Sequence, residues 1–157
     1  MNHKPKIKFA AEKTLGKLTK WLRLLGFDTV YEQDTSYEMF REALKSGYIF
    51  LTRTTRFRDA HLLPKVIFIN SDLYADQLKE VILALGISRS DLALFSRCLS
   101  CNLPIKKVDK NAMYGKVPDY IWETHDSFQI CTRCGRVYWP GSHTEQSQER
   151  IDRLFEP

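Results

Sequence analysis

Long hydrophobic runs are missing from this 157-residue sequence. Its longest apolar runs, such as VIFI at residues 66–69, are far shorter than the roughly 20 residues that a membrane span needs. The first residues, MNHKPKIKF, carry charge, and no apolar stretch of signal-peptide length follows them. Internal repeats and low-complexity segments are also lacking. We therefore expect a globular cytoplasmic protein without an anchor, as 43% hydrophobic and 27% charged residues would suggest.

An acidic excess is lacking as well, because the net charge is +5. Residues 1–60 hold twelve Lys and Arg against seven Asp and Glu, whereas the two classes balance in residues 61–97 and 98–157. A localised basic surplus indicates a polyanionic partner, most often nucleic acid. A solvated basic surface would give the same count, so charge alone leaves both interpretations open.

Cysteine is scarce but regularly spaced. Four cysteines occur in two pairs, Cys98 with Cys101 and Cys131 with Cys134, and 29 residues separate the pairs. In an intracellular chain this spacing indicates a four-thiolate Zn²⁺ site, with disulfides or buried core thiols as the alternatives. Gly135 suits the tight turn after the last cysteine. Four protein ligands leave no open coordination position, so the ion would be structural.

Strands and helices alternate over the first 85 residues, which predicts an α/β fold with a mostly parallel sheet and helices on both faces. The predicted strands are 7–10, 28–31, 48–52 and 66–70, and the predicted helices are 12–25, 37–46 and 75–85. Residues 86–97 form a connector, followed by the cysteine region and a short terminal helix. In such sheets, ligands bind at the carboxyl ends of the strands.

The helix predicted over residues 12–25 places its leucines on one side and a row of cations on the other. Lys13, Lys17 and Lys20 lie within about 60° of one another at helical spacing, with Arg23 not far off. A second set of cations follows the third strand in FLTRTTRFR at residues 50–58. The predicted RNA-contacting residues are Lys13, Lys17, Lys20, Arg23, Arg53, Arg56 and Arg58.

Five segments in fixed order resemble the Mut-seven C-terminal ribonuclease-domain family. They are FAAEKTLGKLTKWLRLLGFDT (9–29), IFLTRTTRF (49–57), DQLKEVI (76–82), SRCLSCN (96–102) and CTRCGRVYWPGSH (131–143). The resemblance covers nearly the whole chain. It implies a PIN-like nuclease domain fused to a zinc ribbon, with strand-end acids that bind Mg²⁺ or Mn²⁺ and activate water against an RNA phosphodiester.

The acidic pattern that the resemblance implies is incomplete in this chain. Glu12 stands at the first acid position, where Asp is usual, whereas Ser36 and Thr54 stand at the second and third. Two interpretations are open. In the first, neighbouring carboxylates replace the missing acids as metal ligands. In the second, the metal site is lost and the strand ends bind an anion. The available carboxylates are Glu12, Asp34, Glu38, Asp59, Asp72 and Asp76, and the candidate catalytic set is Glu12, Asp34, Glu38, Asp72 and Asp76.

We therefore expect a PIN-like α/β domain over residues 1–95 and a zinc ribbon with a terminal helix over residues 96–157. The expected function is that of an RNA-directed protein of the ribonuclease type, or a non-catalytic RNA- or ribonucleoprotein-binding module on the same scaffold. A protein-interaction factor whose ribbon docks a partner is a third reading.

Overall fold

The computed structural model describes residues 6–33, 37–62 and 65–157. The chain forms two compact units, the first ending at Asn102 and the second starting at Leu103. The boundary that the sequence suggests, between residues 95 and 96, remains a prediction. None of the helices in the described residues is long and apolar enough to cross a membrane.

The first unit is built on a parallel sheet of four strands flanked by helices, which confirms the predicted fold class. Its strand order is β2-β1-β3-β4, and every neighbouring pair is parallel. The strands are β1 (Lys8–Glu12), β2 (Asp28–Glu32), β3 (Ile49–Thr52) and β4 (Val66–Phe68). The helices are α1 (Gly16–Leu24), α2 (Tyr37–Lys45) and α3 (Tyr74–Leu85).

The first helix begins later than its leucine spacing predicts. Lys13–Leu15 form a 3₁₀ turn, and α1 follows from Gly16. A second 3₁₀ segment, Thr55–Leu62, follows β3 and was not predicted. Three mutually packed aromatic rings hold this segment on the sheet: Phe57 stacks on Phe40 at 5.0 Å and meets Phe50 edge-on at 5.6 Å. The arginines around Phe57 are thereby left on the surface.

The second unit contains an antiparallel sheet of order β5-β6-β7 and two helices. The strands are β5 (Lys106–Val108), β6 (Phe128–Ile130) and β7 (Val137–Tyr138), and the helices are α4 (Asp119–Thr124) and α5 (Ser142–Leu154). Its core gathers Met113, Val117, Ile121 and Phe128, with Trp139 packed against them. Trp139 is half-buried against this core.

Candidate functional site

Glu12 ends β1 and is completely buried, with 0% of its surface exposed. Its carboxylate accepts four hydrogen bonds. Thr14 Oγ1 (2.9 Å) and the Arg53 amide (2.5 Å) donate to Oε1, and Thr52 Oγ1 (3.0 Å) and Thr54 Oγ1 (2.8 Å) donate to Oε2. Because an ionised carboxylate offers about four lone-pair positions, these donors use its whole accepting capacity.

The threonines reach Glu12 because β1 and β3 are parallel neighbours that end at the same edge of the sheet. The register pairs Ala11 with Leu51, so Glu12 and Thr52 follow side by side. The Thr54 amide in turn donates to Thr52 Oγ1 at 3.0 Å, which curls the chain back over the strand end. We call the group formed by Glu12, Thr52, Arg53 and Thr54 the strand-end site.

Asp72 lies beside the strand-end site on the loop between β4 and α3. Its carboxylate pairs with Arg53 Nη2 at 2.5 Å, although 86% of the Asp72 side chain is exposed. An ion pair this exposed is worth at most about 1 kcal/mol. Arg53 can therefore exchange Asp72 for another anion at little cost.

Glu80 of α3 holds the loop that carries Asp72. It accepts hydrogen bonds from the backbone amides of Asn70 (3.0 Å) and Ser71 (2.7 Å). Partial burial acts to raise the pKa of Glu80, but the hydrogen bonds from Asn70 and Ser71 outweigh it, and the pKa lies below its ordinary value. The carboxylate of Glu80 is therefore a structural anchor for the loop that presents Asp72.

Exposed lysines lie on the 3₁₀ turn and the helix that follow β1. Lys13, Lys17 and Lys20 are exposed, and Lys17 Nζ lies 4.6 Å from the centroid of the Tyr74 ring. Tyr74 also stacks on the half-buried Trp21 at 5.7 Å, so Trp21 packs within the fold. We call the surface formed by these three lysines the basic face.

Two arginines after β3 lie over aromatic rings while remaining exposed. Arg56 lies 4.8 Å from the Phe57 centroid, and Arg58 lies 5.2 Å from that of Phe68. Cation–π contact holds a guanidinium in place without using its N–H donors. Together with Arg53 they form what we call the arginine rim.

Arg23 corrects one sequence-based expectation, because its side chain points into the fold. Only 8% of its surface is exposed, and its guanidinium donates to the carbonyls of Thr29 (2.9 Å), Leu99 (2.8 Å) and Ser100 (3.2 Å). Burial lowers the pKa of Arg23, with the neighbouring Cys98, Cys101 and Asp28 acting to raise it. We therefore remove Arg23 from the predicted RNA-contacting set.

The catalytic role of Glu12, Asp34, Glu38, Asp72 and Asp76 stays a prediction. No group of three or more His, Cys, Asp or Glu side chains close enough to hold an ion includes Glu12, Glu38, Asp72 or Asp76 in residues 6–33, 37–62 and 65–157. Glu38 and Asp76 are exposed in the first turns of α2 and α3. Asp34 and Ser36 lie outside the described residues.

The four cysteines do assemble. The Sγ atoms of Cys98, Cys101, Cys131 and Cys134 all lie within 4.8 Å of one another, so the group could hold a metal ion. The Cys101 amide donates to Cys98 Sγ at 3.3 Å. At the second pair, Gly135 adopts a left-handed conformation with φ of 73°, and its amide donates to the Cys131 carbonyl at 2.9 Å. The role expected for Gly135 in a tight turn is thus confirmed.

Comparison with known families accounts for nearly the whole chain. A family model described as the Mut7-C RNAse domain matches residues 7–151. The chain belongs to the Mut7-C RNAse domain family. A search of curated proteins found no match. The resemblance drawn from the five sequence segments is confirmed, and the Mut7-C membership indicates a ribonuclease-type domain.

Two features of this Mut7-C chain were missed from the sequence. The first is the hydrogen-bonded shell of Glu12, for which the signal was the cluster of threonines directly after a buried strand. The second is the inward side chain of Arg23, for which helical spacing gave no signal, because its acceptors Leu99 and Ser100 are 76 and 77 residues away.

We expect Thr54→Val to lower the free energy of unfolding by about 1.5–3 kcal/mol, because it removes a hydrogen bond to a charged, buried acceptor. The measurement is urea denaturation of the purified variant. Thr55→Val is the matched control, since Thr55 is exposed and adjacent, and its effect should stay within about 0.5 kcal/mol. Equal effects of the two substitutions would contradict the role of Thr54.

Proposed function

We propose that this chain binds RNA through the basic face and the arginine rim, and that its strand-end site does not catalyse metal-dependent cleavage. The observation that carries the proposal is the four hydrogen bonds that the buried Glu12 carboxylate already accepts. The proposal is the non-catalytic alternative considered from the sequence, on the scaffold of a ribonuclease family.

The donors around Glu12 do not fit a divalent cation. A cation bound to Glu12 would have to displace at least one donor, and it would face the Arg53 amide hydrogen, which cannot rotate away as a hydroxyl hydrogen can. The displaced donor would then be left unsatisfied in a buried position, at a cost of about 1–3 kcal/mol. Thr54 supplies a hydroxyl at the position where the family resemblance implies an acid. We therefore derive no step through Mg²⁺ or Mn²⁺.

Loss of acids from this edge of the sheet favours anion binding. Glu12 is buried and Asp72 pairs with Arg53, so neither carboxylate is left as an unpaired exposed charge, whereas Lys13, Lys17, Lys20, Arg56 and Arg58 are exposed. Lysine and arginine side chains that contact phosphates release the counterions condensed on a nucleic acid, and this term dominates non-specific affinity. The guanidinium group of Arg56 can also donate to phosphate oxygens or stack on bases.

A metal-dependent ribonuclease of the PIN-like type is the second candidate, and the family match favours it. In that case Glu12 would act with acids of neighbouring elements, Asp34 among them. A ribonucleoprotein partner and a cytoplasmic location remain predictions from the sequence.

We further propose that the four cysteines bind one Zn²⁺. Zinc with Zn–S bonds of about 2.3 Å would separate the sulfurs by about 3.8 Å, and the observed sulfurs already lie within 4.8 Å. Two Cys-x-x-Cys turns supply the four soft ligands that a closed structural site needs. The ion would stabilise the fold and take no part in chemistry.

Changing Lys13, Lys17 and Lys20 together to Gln should lower the affinity for single-stranded RNA of any sequence. The slope of log K against log salt should flatten by about 2, because each lost phosphate contact removes about 0.7. The measurement is a salt titration by fluorescence anisotropy. A variant with Lys106, Lys107 and Lys116 changed to Gln is the matched control, as it removes equal charge from exposed positions in the second unit. Equal slopes in both variants would mean that net charge alone is responsible.

Wild-type protein should bind single-stranded RNA without cleaving it when Mg²⁺ or Mn²⁺ is added. Thr54→Asp should be less stable than wild type without divalent ions, because it places a second carboxylate beside that of Glu12. Mg²⁺ or Mn²⁺ should restore part of the loss, whereas the exposed control Thr55→Asp should not respond. Cleavage is followed by gel electrophoresis and stability by thermal denaturation.

The decisive contrary outcome is strong metal-dependent cleavage by wild type that Glu12→Gln abolishes while RNA binding persists. That result would assign the ribonuclease function to the strand-end site. RNA binding that is unchanged in the Lys13, Lys17 and Lys20 variant would reject the basic face separately.

Purified protein should contain one zinc ion per chain, and Cys131→Ser should lose it together with folded structure around the cysteines. Structural zinc contributes on the order of 10 kcal/mol, comparable with the stability of a whole domain. Metal analysis and circular dichroism measure the two effects. Thr132→Ser, at an exposed neighbouring position, should keep its zinc. Zinc-free wild-type protein would rule out the proposed site.

A further inference from the structure

Two buried arginines lie beside the first cysteine pair, and the RNA-binding proposal uses neither. Arg23 is 8% exposed and Arg97 is 9% exposed. Arginine is almost never buried this deeply unless it is paired. The partners of the two guanidinium groups therefore call for an explanation.

Arg23 holds the turn that carries Cys98 and Cys101, which we call the first knuckle. Its Nη1 donates to the carbonyls of Leu99 (2.8 Å) and Ser100 (3.2 Å), the two residues between the cysteines. Its Nε donates to the Thr29 carbonyl of β2 at 2.9 Å. One rigid guanidinium thus connects the knuckle to the sheet.

Arg97 and Asn102 hold the two ends of the same turn. Arg97 donates to the carbonyls of Gly26 (3.1 Å) and Asn102 (2.6 Å). The Asn102 side chain accepts from the Thr29 amide at 3.0 Å and donates to Asp28 Oδ1 at 2.7 Å. Asn102 adopts φ of 64°, a left-handed conformation that asparagine tolerates better than most residues. The backbone of the first knuckle is thereby fixed before, within and after the cysteine pair.

The charges of this arrangement favour a metal–thiolate site. The carbonyls that accept from Arg23 are neutral and cannot balance its charge, whereas the Asp28 carboxylate and the Cys98 and Cys101 side chains are among its neighbours. A divalent ion with four thiolates carries a net charge of about −2. Two buried guanidinium groups nearby, shared with Asp28, can offset part of that charge where water is excluded.

We propose that Arg23 is a positioning residue for the four-cysteine metal site, orienting the first knuckle and offsetting the negative charge of the metal–thiolate group. This inference rests on the zinc binding proposed above. Removal of a group that holds metal ligands in position typically lowers the metal affinity 10–100-fold. A purely structural role, sealing the space between α1 and β2, would lower stability without changing the zinc affinity of the folded protein.

The experiment measures the zinc affinity of the full chain by competition with a chromophoric chelator, for wild type, Arg23→Met, Arg23→Lys and Arg41→Met. Arg41→Met is the matched control, because Arg41 is an exposed arginine of the same unit. Circular dichroism at each condition establishes that the compared proteins are folded. Cobalt substitution adds a second readout, since the thiolate-to-cobalt absorption reports the geometry of the sulfurs.

We expect Arg23→Met to bind zinc about 10–100-fold more weakly than wild type, with a shifted cobalt–thiolate absorption. Arg23→Lys should fall between the two, because lysine keeps the charge but cannot reproduce the fork of N–H donors. Arg41→Met should match wild type. Wild-type affinity in Arg23→Met, or an equal loss in Arg41→Met, would overturn the proposal.

If Arg23→Met does not fold, the zinc affinity of Arg23→Lys alone tests the proposal. A weakened affinity in the lysine variant supports the positioning role, and wild-type affinity overturns it. If the wild-type protein does not bind zinc, the metal site itself is rejected. If the wild type binds zinc and the Arg23 variants bind it equally well, only the role of Arg23 is rejected.

Discussion

A carboxylate buried at the end of the first strand constrains the structure around it. Glu12 has no contact with solvent, and an isolated buried charge costs several kcal/mol unless donors satisfy it. Those donors come from Thr14 on one side and from the residues that end β3 on the other. The turn after β3 and the position of Arg53, which contacts Asp72, follow from the way that the chain closes around this group.

Features set by local spacing were predictable from the sequence. The order of strands and helices, the parallel sheet and the cysteine cluster follow from periodicity, turn residues and the two Cys-x-x-Cys pairs. The starting point of α1 was not predictable in this way, because the leucine spacing continues through the 3₁₀ turn of Lys13–Leu15. A short 3₁₀ turn and the first turn of a helix give nearly the same pattern.

Features set by contacts between distant residues were not predictable. Glu12 was identified as the strand-end acid, but whether it faces an ion or a shell of hydroxyls depends on Thr52 and Thr54, some 40 residues further along the chain. Arg23 lies only about 60° from Lys20 at helical spacing. Its side chain nevertheless points inward, because the carbonyls of the first knuckle accept its hydrogen bonds. Formal charge is therefore a poor guide to the charge that this surface presents.

The contacts of Thr29 have a consequence for association between copies of the chain. β2 is an outer strand of the sheet, and the unpaired backbone groups of such a strand can template pairing with a strand from another molecule. Here the amide of Thr29 is taken by Asn102 and its carbonyl by Arg23. Side chains thus occupy hydrogen-bonding positions that an intruding strand would need. The residues that fix the cysteine turn also protect this edge of the sheet against β-sheet aggregation.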